Sequence, residues 1–211
     1  MSIKLNKLGP DHVDVAHTYH DMGNLHKHLG DNQQAKEYYE RALSIKLNKL
    51  GPDHVDVAST YHNMGILHED LGEHQQAKEY YEGALSIKLN KLGPDHVGVA
   101  STYHNMANLH KDLGEHQQAK EYYKRALSIK LNKLGPNHVD VASTYHKMGN
   151  LHEDLGEHQQ AKEYYERALS IQLNRLGQDH VDVACTYHLL GDMQRVLDAQ
   201  QLLANGSNDR A

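Results

Sequence analysis

The chain has 211 residues, with 22 Lys+Arg against 28 Asp+Glu and a formal charge of −6 when histidine is neutral. That balance argues against a general binder of nucleic acid or of anionic membrane. Phe and Trp are absent, Tyr occurs 13 times and apolar residues make up only 38%, which is thin for a globule but enough where each unit buries only its contacts with its neighbours.

Read in chain order, the phrase Leu-Gly-Pro-Asp-His begins at Leu8, Leu50 and Leu92, returns at Leu134 with Asn137 for Asp, and survives as a worn copy at Leu176. The units 50–91 and 134–175 differ at six of their 42 positions. A fixed period of this length is the mark of stacked repeats. The expected organisation is a single array over 1–204. It opens with a partial helix B at 1–7, because Ser2–Lys7 copies Ser44–Lys49. Full repeats follow at 8–49, 50–91, 92–133 and 134–175, then a terminal half-repeat at 176–204 and a disordered tail at 205–211. Both ends read as cut from a longer array. Leu189, Leu190, Met193, Val196, Leu197 and Leu203 are expected to lie uncovered, and self-association through these uncapped ends is the corresponding expectation.

Each repeat predicts two helices. In 50–91, Val57, Ala58, Tyr61, Met64, Gly65, Leu67 and Leu71 follow the spacing of an amphipathic helix A. Asp53 is placed as its N-cap and Gly72 as its stop. Helix B opens near Glu73 and carries Ala77, Tyr80, Tyr81, Ala84, Leu85, Ile87 and Leu89. Glu37–Arg41, Glu121–Arg125 and Glu163–Arg167 have the spacing of supportive pairs on that helix. The column Gly23, Gly65, Ala107, Gly149 and Gly191 lies in mid-helix, where glycine costs roughly 1 kcal/mol against alanine. Its recurrence implies that a neighbouring helix needs the space. Nine helices are expected beyond the partial one.

Tyr61, Met64-Gly65, Gly72, Ala77, Tyr81 and Ala84 resemble the tetratricopeptide signature. The 42-residue period, the Arg-Ala-Leu-Ser-Ile stretch and the Leu-Gly-Pro-Asp-His connector are similar to the longer repeats of kinesin light chains and nephrocystin-type proteins. The resemblance covers about residues 1–197. It implies an all-α fold, a right-handed alpha-alpha superhelix, whose helices A line a concave groove. It also implies a non-enzymatic scaffold for a protein or an extended peptide. No coiled coil of the kinesin type is evident in the sequence.

Nineteen histidines invite a metal reading, but the columns His20, His62, His104, His146, His188 and His26, His68, His110, His152 lie about 240° apart round a helix. No metal site and no cofactor is expected. The second column, with His74 and its copies, takes positions often held by Tyr in the tetratricopeptide pattern and fits a packing role. No catalytic constellation or phosphate loop stands out, so the chain is read as not an enzyme. The single Cys185 and the lack of a secretory signal or long apolar run predict a cytoplasmic setting.

Carried onto this chain, the groove of the resembled fold comprises His20, Asn24, His62, Asn63, His104, Asn105, Asn108, His146, Lys147, Asn150 and His188. Asparagine amides offer both a donor and an acceptor to a peptide backbone. The groove differs from the chaperone carboxylate clamp, which has Lys and Arg where this chain has histidine. On acidification the histidine column is expected to charge and to favour acidic ligands. Two other readings remain open: an architectural or sensor arm of a larger nucleotide-binding switch protein, and an engineered consensus-like array. No nucleic-acid or membrane partner is expected.

Overall fold

The computed structural model describes residues 8–208, with side chains to residue 203. Among these residues there are nine helices and no strand: α1 Val13–His28, α2 Asn32–Leu50, α3 Val55–Asp70, α4 His74–Leu92, α5 Val97–Asp112, α6 His116–Leu134, α7 Val139–Asp154, α8 His158–Leu176 and α9 Val181–Asn208. Odd-numbered helices are of type A and even-numbered ones of type B, as the pattern predicts. The partial helix expected at 1–7 and the last tail residues, 209–211, lie outside the described residues. Two compact units, Met1–Leu109 and His110–Ala211, make up the chain.

The N-caps of the A helices are histidines. Asp53 was the expected cap of α3, but the Nδ1 of His54 accepts from the Asp56 amide at 3.1 Å. His12, His96, His138 and His180 repeat this bond. A ring nitrogen reaches the second helical amide from one residue further on than the Asp, and so satisfies a donor that the first turn leaves orphaned. The A-to-B turn closes as expected at Gly72, whose φ of +73° places it in the left-handed region that a side chain disfavours. The amides of Gly72 and Glu73 return to Glu69 and His68 at 2.9 and 2.8 Å.

Within each unit, helix B packs on the A helix of its own repeat and on that of the next. Tyr39, Tyr81 and Tyr165 are fully buried, each worth roughly 1.5–3 kcal/mol of apolar burial. A Cβ on Gly23, Gly65 or Gly149 would meet the ring of Tyr39, Tyr81 or Tyr165 at 2.6, 2.5 and 2.5 Å. The space that the mid-helix glycines keep open is therefore filled by a tyrosine of the same repeat. Arg41 and Arg167 lie 5.8 Å from the centroids of Tyr19 and Tyr145, so that column packs on helix-A rings as well as facing the surface.

Helix α9 departs from the pattern. It has 28 residues where α1 has 16, because Asp198 replaces the stop glycine and the helix runs through Asn208, into the stretch expected to be disordered. Leu189, Leu190 and Met193, expected to lie uncovered, instead pack against Ala161 and Tyr165 of α8. The face towards the preceding helix B is the one these residues occupy, so α8 buries Met193 and leaves Leu189 and Leu190 half-buried.

Candidate functional site

The expected groove residues rest on a buried polar layer that starts on helix B. Lys46 is only 2% exposed. Its Nζ donates to Thr60 Oγ1 at 3.0 Å and to the Asp56 carbonyl at 3.3 Å. Thr60 gives its one proton to the same carbonyl at 3.0 Å. His20 Nδ1 lies 3.2 Å from Thr60 Oγ1 and must therefore be the donor, which fixes the Nδ1–H tautomer. Its Nε2 is then an acceptor, and Asn63 donates to it at 3.1 Å. The second amide proton of Asn63 goes to Asn24 Oδ1 at 2.8 Å, which also accepts from the Tyr39 hydroxyl at 2.7 Å.

The same layer recurs one repeat on. Lys88 donates to Thr102 at 2.9 Å, Thr102 donates to the Gly98 carbonyl at 3.1 Å, and His62 Nδ1 lies 3.2 Å from Thr102. Asn105 donates to His62 Nε2 at 3.3 Å. Burial, aided by the ammonium of Lys46, lowers the His20 pKa from 6.5 to about 4. Burial and Lys88 lower that of His62 to about 3. Burial also brings the Lys88 ammonium down to about 8. These two histidines thus stay neutral well below pH 6, which corrects the expectation that mild acid charges this part of the column. His104, also nearly buried, is 9% exposed, and Asn108 is half-buried.

In the second unit Lys130 donates to Thr144 at 2.9 Å. Gln172 then takes the lysine position, with its Oε1 2.9 Å from Thr186 Oγ1, and His146 Nδ1 lies 3.2 Å from the same hydroxyl. Burial lowers the His146 pKa, with the cation of Lys147 acting in the same direction. His146 and Lys147 share a cleft of about 300 Å³ with Val139, Ser143, Gln172, Leu176, Asp182 and Cys185. Asn150 accepts from the Tyr165 hydroxyl at 2.8 Å. His188 is 74% exposed and 3.6 Å from Asp192, apart from any such layer.

The structure thus joins His20, Asn24 and Asn63 in one chain of hydrogen bonds and His62 with Asn105 in another, and it leaves His188 outside. The sequence reading missed the lysines beneath them. The available signal was a Lys followed fourteen residues later by a Thr, four times over in the sequence. The second histidine column packs as expected. His68 and His152 are 3% exposed, with rings 5.0 Å from Tyr80 and Tyr164 and Nδ1 atoms 2.5 Å from Glu73 and Glu157. Among the described residues no group of three or more His, Cys, Asp or Glu is placed to hold a metal ion, and no helix is long and apolar enough to cross a membrane.

The family model for the tetratricopeptide repeat matches residues 2–48, 14–90, 56–132, 98–174 and 140–201. The chain belongs to the tetratricopeptide repeat family. Its fold is that of the family's all-α helical repeats. The array is similar to the crystal structure of BtubC (BKLC) from P. vanneervenii, with a TM-score of 0.79 and 25% identity over 95% of this chain and 79% of that one. A kinesin light chain-like protein of Podosopora anserina, with nearly identical TPR-like repeats, matches with a TM-score of 0.74 and 22% identity over 92% of this chain and 93% of that one. A point variant of that protein gives the same score and identity over 95% and 99%. No curated protein matches the sequence. Tetratricopeptide arrays are generally non-enzymatic protein-interaction scaffolds.

Proposed function

We propose that this tetratricopeptide chain binds an extended peptide or protein segment on the exposed side of its A helices, as one array over 1–204 in the cytoplasm. The supporting observation is a contrast in how far the repeats vary. The layer beneath, with its Lys46, Thr60 and His20 columns, is copied almost unchanged. The columns above it diverge: His17, Ser59, Ser101, Ser143 and Cys185; Asp21, Asn63, Asn105, Lys147 and Leu189; Asn24, Ile66, Asn108, Asn150 and Asp192. Duplication with a purely architectural role accounts for the constancy and not for where the differences collect. The internal bonds also orient the amides. Asn63 spends both protons inside and keeps its carbonyl as the acceptor, whereas Asn24 spends its carbonyl and keeps its NH2 as the donor. One peptide group can answer both.

The test is selection of peptides from a displayed random library on the folded chain. Selected peptides should lose roughly tenfold or more in affinity, about 1.4 kcal/mol, when Asp21→Lys and Ile66→Ala are combined. They should be indifferent to Glu82→Lys on the exposed side of helix B. The opposite pattern refutes the reading.

A further inference from the structure

We propose that α9 carries a docking site for a single amphipathic α-helix of a partner protein, separate from the peptide-binding face. Helices α1, α3 and α7 each bury a strip of the form Ala-x-x-Tyr-x-x-x-Gly against the helix B of their own repeat. The alanines of these strips, Ala16, Ala58 and Ala142, are at most 1% exposed. The glycines are in closer contact still: a Cβ there would lie 2.5–2.6 Å from a tyrosine ring. Helix α9 repeats the strip as Ala184, Tyr187 and Gly191. Here Ala184 and Gly191 are exposed, Tyr187 is 54% exposed, and a Cβ on Gly191 would meet nothing within 4 Å. The adjoining side of α9 is already used, since Met193 is 2% exposed and packs on α8 with Leu189 and Leu190. The open strip is therefore continuous with an existing helix–helix interface and retains the notch that a tyrosine fills elsewhere.

The chain itself shows what fits this notch. The covering helix carries Ala-x-x-x-Tyr-x-x-Ala, as Ala35-Tyr39-Ala42, Ala77-Tyr81-Ala84 and Ala161-Tyr165-Ala168, all at 0% exposure. The ring enters the glycine notch, and the flanking alanines let the two backbones approach. In a second copy of this chain the described helices of this kind have already buried that face. Among the described residues no helix is left to fill the notch, and the occupant we assign to it is a partner's amphipathic helix that presents one aromatic ring between two small residues.

The experiment uses the full chain and a labelled synthetic peptide with the sequence of residues 157–177, followed by fluorescence anisotropy. Binding is expected below about 1 mM. Gly191→Leu adds its side chain to open space, so helical content and melting temperature should match or exceed those of the parent, while affinity falls roughly tenfold or more. A peptide carrying Tyr165→Ala should bind as weakly to the parent chain. Ala184→Glu, at another exposed position, supplies a second variant should Gly191→Leu disturb folding. The proposal is overturned if the peptide does not bind at about 1 mM or if its affinity ignores both substitutions. It is equally overturned if sedimentation shows a dimer that Gly191→Leu dissociates, because the occupant is then a second copy.

Discussion

Asn63 donates to His20 Nε2 across 3.1 Å, from one A helix to the A helix of the preceding repeat. The bond requires the imidazole to be neutral. Protonation would set an N–H against an amide N–H, and the amide cannot simply turn over, because its other proton is held by Asn24 Oδ1 at 2.8 Å. A side chain expected to read a ligand thus also reads the protonation state of the helix beside it.

Acidification should destabilise the fold before it charges this face. His20 and His62 have folded pKa values near 4 and 3, below the ordinary 6.5. Between those limits the unfolded chain takes up protons that the folded chain refuses, so stability is full above pH 6.5 and declines as pH falls towards 4. From pH 6.5 to 5.5 the two groups together should cost roughly 2 kcal/mol. Urea denaturation at these two pH values measures it, and a stability that stays level or rises would show that carboxylates near the other histidines outweigh them.

The period, the helix alternation, the turn glycines and the tyrosine columns were legible because each is a local pattern repeated in phase. The buried layer was less so. Lys46, Lys88 and Lys130 look like surface residues by type, and only their pairing with Thr60, Thr102 and Thr144 on the next A helix explains their burial. The internal bonds of Asn63 and Asn105 were hidden as well, because each depends on a histidine 43 residues away. The His54 cap was missed because Asp53 beside it has the stronger general preference. At α9 the change from glycine to Asp198 marked the end of the pattern. Which apolar residues stayed covered depended on which neighbour each faces, and α8 supplies the cover for Met193.

Gly65→Leu should lower stability by about 1–3 kcal/mol, the usual cost of overpacking, since the added side chain enters the ring of Tyr81. The third repeat carries Ala107 in this column, so a larger residue than alanine is the informative change. Thermal melts of Gly65→Leu and Gly191→Leu side by side should diverge, the first falling and the second holding, although both remove a mid-helix glycine.

His54→Ala should cost about 1 kcal/mol, typical of a lost N-cap. His54→Asn should recover most of it, because an amide oxygen can accept from the same first-turn donors. Urea midpoints for the three proteins at pH 7.5 decide this. An alanine variant as stable as the parent would mean that water serves the Asp56 amide equally well.

Lys88→Met tests the buried layer from below. Lys88 is 6% exposed, and burial has already lowered its pKa to about 8, so the folded state holds its charge at a cost. Methionine keeps the length and the apolar stem, while Thr102 still donates to the Gly98 carbonyl and still receives His62. Burying a charge is costly unless it is paired, and the chain itself accepts the neutral Gln172 in this column. The urea midpoint should therefore hold or rise. The sharper readout is His62, whose pKa is lowered by Lys88 as well as by burial. In ¹³C-histidine NMR its midpoint should move up from about 3 in Lys88→Met while that of His20, set beside Lys46, stays where it is. An unmoved His62 would mean that burial alone holds it neutral and that the lysine serves only to satisfy Thr102.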